Sequence, residues 1–341
     1  MKSIFNGVAT ALVTPFCEKG IDFDCLQRLL ERQISADVDA ILLLGTTGEY
    51  TTATARERQG ATEFTAHFLK NAVVSEKQDA KPFKANAAVN GADFAAKKAN
   101  VAVKKGRKIP LIVGCAENDT KNAVCAAKRA QENGADGLLV STPYFCGCTK
   151  DGLYLHVKAV CQAVDLPVIL YCARHRTGVT LGEETLEKLA DLPNFYGIKD
   201  ADGELARSLL FLRLARCAFS VYCGTDAHNL PLLCCGANGV ISVLSNVVPS
   251  LVKAQYIAVQ NGDLHAARAL DAALSPLSRL LFIETNPVPV KAAMNLLGYF
   301  CGAPKLPLTP LDAEKTAQLA RELSRLKERA IALGFKKEDV F

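Results

Sequence analysis

The sequence predicts a closed (β/α)8 barrel with extra helices after it. Three observations carry this. Eight short apolar runs recur along the first part of the chain, each followed by a stretch with helical spacing. They are rich in Val, Ile and Leu and bounded by Gly, Pro, Asp or Asn, as strands of a parallel sheet covered on both faces should read. No G-x-G-x-x-G follows the first run, which disfavours the doubly wound open sheet that is the alternative reading. The 341 residues, half of them hydrophobic, suffice for one large core.

The runs are Val8–Phe16, Ala40–Gly45, Leu111–Cys115, Gly137–Thr142, Val168–Cys172, Tyr196–Asp200, Val221–Gly224 and Gly239–Val243. Between them, Asp22–Ser35 places Phe23, Leu26, Leu29, Leu30 and Ile34 on one helical face. Asn118–Asn133, Asp151–Ala163, Gly182–Leu192, Gly203–Ala215 and Asp226–Cys235 behave alike, several beginning at an Asp, Thr or Asn fit to cap. From Pro249 onward there is no strand pattern, and helices are expected near 249–260, 264–282, 287–298 and 312–333. This divides the chain into a barrel over 1–260 and a helical subdomain over 261–341.

One segment breaks the rhythm. Residues 70–108 form an Ala/Lys-rich insert holding Lys77, Lys81, Lys84, Lys97, Lys98, Lys104, Lys105, Arg107 and Lys108. A solvated helical excursion is the favoured reading over a partner-binding or nucleic-acid-binding one. As a helix-to-strand connection it belongs at the end of the barrel opposite the chemistry.

A net charge of +5, from 40 basic and 35 acidic residues, points to no polyanionic partner. No apolar run reaches the ~18 residues of a membrane span. The opening MKSIFNGVATALVTPF lacks a solid apolar targeting core and reads as a strand. The thirteen cysteines are odd in number, and Cys115, Cys172, Cys223, Cys234 and Cys235 fall in apolar runs, where buried thiols are expected. Cys146 and Cys148 have neither a second pair nor a His at ligand spacing, so no metal is expected there. A reducing, cytoplasmic setting fits.

Reacting groups of such barrels lie at the C-terminal ends of strands. Strand six reads Tyr196-Gly-Ile-Lys-Asp200, with a lysine inside an apolar run. Pointing inward, Lys199 loses solvation, its pKa falls and its amine becomes a nucleophile. The alternative is a lysine that reaches solvent or pairs with Asp200 or Asp202. Strand two ends Leu44-Gly-Thr-Thr-Gly-Glu49, where Gly45 and Gly48 permit a tight turn and Thr46 and Thr47 offer a carboxylate cradle; an ordinary Gly/Thr turn reads the same. Strand five ends at Tyr171, placed to relay protons, and Arg174 and Arg176 follow, each able to grip a carboxylate. His175 between them is discouraged from protonation and reads as a loop residue.

Taken together, GTTGE at 45–49, STPYF at 141–145, LPVILY at 166–171, RTG at 176–178, GIKDADG at 197–203, GTDA at 224–227, GVISVLSNV at 239–247 and NPVPVK at 286–291 resemble the dihydrodipicolinate synthase / N-acetylneuraminate lyase family. The resemblance runs from about Phe5 to Pro310, interrupted by the insert. It implies a pyruvate-dependent class I lyase with Lys199 as Schiff-base lysine. It implies that Thr46 and Thr47 hold the keto-acid carboxylate, with Thr46 also in a proton relay with Tyr171. Arg176 would receive the second substrate's carboxylate, the Ile241 carbonyl would face the bound keto acid, and Gly224 and Gly45 would line the pocket. No cofactor is implied, the partners are small molecules, and the expected assembly is a homotetramer or homodimer.

RTG and NPVPVK favour the synthase branch, whose second substrate is L-aspartate 4-semialdehyde and whose product feeds lysine and diaminopimelate synthesis. Two features depart from that pattern. Phe145 stands where the branch carries a second tyrosine that completes a neighbouring subunit's relay, and Cys172-Ala-Arg-His175 replaces Asn-Val-Pro-Ser. The alternatives are an aldolase of 2-keto-3-deoxy sugar acids, N-acetylneuraminate or 4-hydroxy-2-oxoglutarate, and an impaired keto-acid-binding relative. Arg58 and Asn122 stand where a lysine-inhibition cleft would carry histidine and glutamate, while Asn118 and Tyr144 match it, so weak lysine feedback is expected.

Overall fold

The computed structural model describes residues 2–71, 108–215 and 218–341. Eight parallel strands close a barrel: β1 Gly7–Ala11, β2 Ala40–Leu43, β3 Leu111–Cys115, β4 Gly137–Ser141, β5 Val168–Cys172, β6 Phe195–Asp200, β7 Ser220–Cys223 and β8 Gly239–Ser242. Each pairs with its neighbour in sequence, and β8 returns to β1 through Gly7↔Gly239, Val8↔Val240, Ala9↔Ile241 and Thr10↔Ser242. All eight predicted runs are strands. The first is shorter than expected, because the chain beyond Ala11 leaves the barrel and forms a small antiparallel ribbon, Phe16–Cys17 with Gly20–Ile21.

Helices alternate with the strands: α1 Phe23–Ser35, α2 Ala55–Asn71, α3 Thr120–Glu132, α4 Lys150–Ala163, α5 Arg174–Thr177, α6 Glu183–Ala190, α7 Leu205–Ala215, α8 Asn229–Cys234 and α9 Pro249–Gln260. Their starts follow capping chemistry. Asp22, Asp119 and Thr149 accept from the backbone N–H three residues on, satisfying donors that a first turn leaves free. Beyond the barrel lie α10 Leu264–Leu280, α11 Val288–Leu296, α12 Ala313–Ala332 and α13 Lys337–Val340, with α10 packed on α9 and α12.

Alternation along each strand separates two cores. Inside the barrel lie Ala9, Ala40, Leu42, Ile112, Leu139, Ile169, Tyr222 and Ile241, with Phe5 stacked on Tyr222 at the closed end. Val8, Ile41, Val113, Leu170, Ile198 and Val221 face outward into the layer beneath the helices.

Cys115, Cys172 and Cys223 are buried as expected, but Cys234 and Cys235 are exposed. Leu232 and Leu233 take the inner face of the short α8, so the next two positions turn toward solvent. Most of the lysine-rich insert, residues 72–107, lies outside the described residues. Its described flanks, Asn71 at the end of α2 and Lys108 just before β3, are on the side away from the C-terminal strand ends. No helix among the described residues is long and apolar enough to cross a membrane.

Candidate active site

The strand alternation decides where Lys199 points. Ile198 belongs to the outer layer, so Lys199 faces the barrel interior. It is only 6% exposed. The competing reading, a lysine paired with Asp200 or Asp202, does not hold. Asp200 turns outward and accepts from the Ser208 hydroxyl at 2.5 Å. Asp202 pairs with Arg207 at 3.5 Å and accepts from the Arg174 amide. Burial lowers the Lys199 pKa from 10.5 to about 8; Asp226 opposes the shift and Arg176 adds to it.

Gly224 makes room for the lysine chain. A Cβ there would sit 2.9 Å from Lys199 Cε, from Ala201 Cβ and from the Asp200 carbonyl. Asp226 closes the floor. Its carboxylate accepts from the Ser242 hydroxyl and from the amides of Val243 and Leu244, so it ties the loop after β7 to the end of β8. Ile241 lies in that end, fully buried and facing the interior.

Tyr171 occupies β5 in register with Lys199 on β6. The lysine nitrogen lies 4.7 Å from the centre of its ring. The Thr46 side chain lies beside the phenol; burial raises the phenol's pKa, and the nearby Arg176 and Thr46 draw it back.

Thr46 and Thr47 belong to a turn after β2 held by Gly48 N–H donating to the Gly45 carbonyl at 3.0 Å and Glu49 N–H donating to the Thr46 carbonyl at 3.1 Å. Leu44 (φ +56°) and Glu49 (φ +59°) flank it in the left-handed region. Gly114 on β3 allows this bend, since a Cβ there would meet the Leu44 carbonyl at 2.0 Å. Gly45 has a looser requirement, its Cβ falling 3.2 Å from Leu42.

Arg176 lies exposed in α5, a single helical turn rather than an open loop, closed by Gly178 at φ +73°. Its charge reaches both Lys199 and Tyr171. His175 beside it is held below the usual histidine range, first by burial and then by Arg176. The structure therefore gathers Lys199, Tyr171, Thr46, Thr47, Arg176, Gly224 and Ile241 at the C-terminal ends of β2 and β5–β8. Tyr144 and Phe145 diverge: Phe145 (φ +71°) is 95% exposed, while Tyr144 is half-buried and feels Glu117 and Arg58.

Sequence reasoning missed some supports of this site. Asn286 Nδ2 donates to the Thr47 hydroxyl at 3.0 Å, and Lys291 pairs with Glu49 at 2.7 Å, both buried. Both residues sit in the NPVPVK motif, and a lysine inside an apolar helical run was the signal available. Glu117 also went unassigned; it accepts from the Tyr50 hydroxyl at 2.8 Å and faces Arg58 at 3.7 Å.

A barrel with a buried, low-pKa lysine beside a tyrosine at its catalytic end defines the class. The comparisons then give the family. A profile of the Dihydrodipicolinate synthetase family matches residues 4–74 and 96–326, and the chain belongs to that family. It is 35% identical over 323 residues to the 4-hydroxy-tetrahydrodipicolinate synthase of Thermoanaerobacter sp. (strain X514), covering 94% of this chain and 97% of that one. It is 36% identical over 332 residues to that of Thermotoga maritima, covering 96% and 100%. The solved 4-hydroxy-tetrahydrodipicolinate synthase from Methylacidiphilum fumariolicum SolV superposes with a TM-score of 0.84 at 33% identity, covering 96% of this chain and 98% of the other. The profile leaves out residues 75–95, inside the predicted insert.

Proposed function

We propose that this protein is a Schiff-base lyase that condenses pyruvate with L-aspartate 4-semialdehyde to give 4-hydroxy-tetrahydrodipicolinate. The observation that carries it is Lys199, buried in the barrel mouth with its pKa lowered to about 8 and Tyr171 alongside. The names of the relatives support this second substrate over the sugar-acid and sialic-acid alternatives.

The residues divide the work. The keto-acid carboxylate rests on the hydroxyls and amides of Thr46 and Thr47. The neutral Lys199 amine attacks the ketone, and Tyr171, beside Thr46, passes a proton to the departing water. The resulting protonated imine draws electrons from the methyl group, which loses a proton and becomes an enamine carbon. That carbon attacks the aldehyde. The amine of the semialdehyde then displaces Lys199 from the imine carbon, closing the ring and freeing the enzyme. Arg176, exposed at the rim, suits the second carboxylate. No step requires a metal or nucleotide. The assembly we propose is a homotetramer or homodimer in the cytoplasm.

Borohydride reduction in the presence of pyruvate, followed by peptide mass analysis, tests the reading. A reduced pyruvyl adduct on Lys199 is expected. A folded protein that gives no adduct with pyruvate in excess would overturn it and bring forward a keto-acid-binding role.

A further inference from the structure

The threonine turn is clamped from outside the barrel. Glu49 follows Thr47 by two residues and is 4% exposed; Lys291, on α11, is 1% exposed. Lys291 Nζ donates to Glu49 Oε1 at 2.7 Å and to the Ala303 carbonyl at 3.0 Å, and it lies 4.9 Å from the Phe16 ring centre. The second carboxylate oxygen, Glu49 Oε2, accepts from the Lys305 amide at 2.7 Å. The same 286–305 arm reaches Thr47 directly through Asn286. Three bonds from one arm thus hold Thr47 and Glu49 at the threonine turn.

A buried ion pair adds little net stability over apolar residues of the same volume, because desolvation offsets the attraction. What it imposes is direction. Glu49 has a left-handed backbone that a non-glycine residue adopts only when its surroundings hold it there. Both of its carboxylate oxygens are anchored to the arm. The backbone amide of Glu49 in turn bonds the Thr46 carbonyl, so the anchor acts on the residue that touches Tyr171.

We infer that Glu49 and Lys291 are positioning residues that hold the Thr46–Thr47 turn in the shape that receives the keto-acid carboxylate. This rests on the Schiff-base reading above. A misplacement of about 1 Å at such a site costs on the order of 100-fold in rate, so the pair is felt without touching substrate.

The test uses the full chain with pyruvate as probe. Glu49→Leu/Lys291→Met removes both charges together and leaves neither buried alone; Glu49→Gln is the near-isosteric single change. For each, Tm, half-saturating pyruvate in borohydride trapping, and the condensation KM and kcat are measured. The double variant also unpairs the Lys305 amide and the Ala303 carbonyl, so its Tm is expected to fall by several degrees while the protein stays folded. In both variants the half-saturating pyruvate and its KM should rise at least tenfold, kcat should change less, and saturated labelling of Lys199 should stay complete. A folded variant with pyruvate KM within twofold of wild type would overturn the positioning role, whatever its Tm. Should the double variant not fold, the Glu49→Gln result decides. Failure of wild type to trap pyruvate would instead remove the Schiff-base reading, and this inference with it.

Discussion

The Lys199 nitrogen lies 4.7 Å from the centre of the Tyr171 ring on the adjacent strand. The proposed nucleophile and its proposed proton carrier are therefore set by sheet register, not by a loop. A pair held this way needs no ordering when substrate arrives, which is the arrangement that makes positioned general acid–base groups effective.

The pH dependence follows from Lys199. Its pKa falls from 10.5 to about 8, so the fraction with a free amine grows as pH rises through 8. The rate of pyruvate trapping should climb across that region and level above it. The stability effect has a definite sign. Below pH 8 the folded protein carries a buried ammonium at a penalty of about 3 kcal/mol, and between about 8 and 10.5 the penalty disappears because the native state releases its proton first. Lys199→Met should therefore be more stable than wild type at pH 7, by an amount that shrinks toward pH 10.5. Urea melts of both proteins across this range check it, and a gap that widens with pH would contradict the burial argument.

Gly224→Ala should injure chemistry more than folding. The new methyl meets Lys199 Cε, Ala201 Cβ and the Asp200 carbonyl, all at 2.9 Å. Backbone cannot yield cheaply, so the lysine chain moves. The overpacking costs about 1–3 kcal/mol of stability, and pyruvate trapping should slow by about 100-fold. Trapping at the wild-type rate would show that the lysine has another route to the ketone.

Phe145 is 95% exposed, so Phe145→Tyr should leave Tm unchanged. The added hydroxyl supplies the group that the resemblance to the synthase branch implies at this position, and positioned proton transfer is worth about 100-fold or more at full effect. A rise in condensation kcat of about tenfold is expected from steady-state assays. An unchanged kcat would mean that the relay runs without this position.

Lysine should inhibit weakly. Arg58, Tyr50, Glu117 and Asn122 line a cavity of about 290 Å³ beside Gly114. Arg58 is occupied there, facing Glu117 at 3.7 Å and stacking 4.4 Å over the Tyr50 ring. Glu117 is likewise engaged by Tyr50. A lysine ammonium entering this cavity would compete with a resident guanidinium. A titration of condensation activity should show little loss at sub-millimolar lysine; strong inhibition there would refute this.

Much of the fold was legible because each strand is a local statement. Val168–Cys172 and Gly239–Ser242 are short, β-branched and bounded by breakers, and they pair as predicted. The candidate residues were legible for a related reason: Lys199 is an ionisable group inside an apolar run, which is itself anomalous. Cys234 and Cys235 were misread because burial at the end of a six-residue helix depends on which face the barrel covers, and the run does not encode that.

Alternation alone settled that Lys199 and Ile198 lie on opposite faces, and composition with spacing settled the barrel. Which face is the interior, and that Asp200 and Asp202 are already taken by Ser208 and Arg207, came only from tertiary packing. The same holds for Lys291 and Glu49, 242 residues apart in the chain and 2.7 Å apart in space. Periodicity reports how a segment meets its own core. A contact between two distant segments depends on barrel closure and on the path of the C-terminal arm, and no local pattern carries that information.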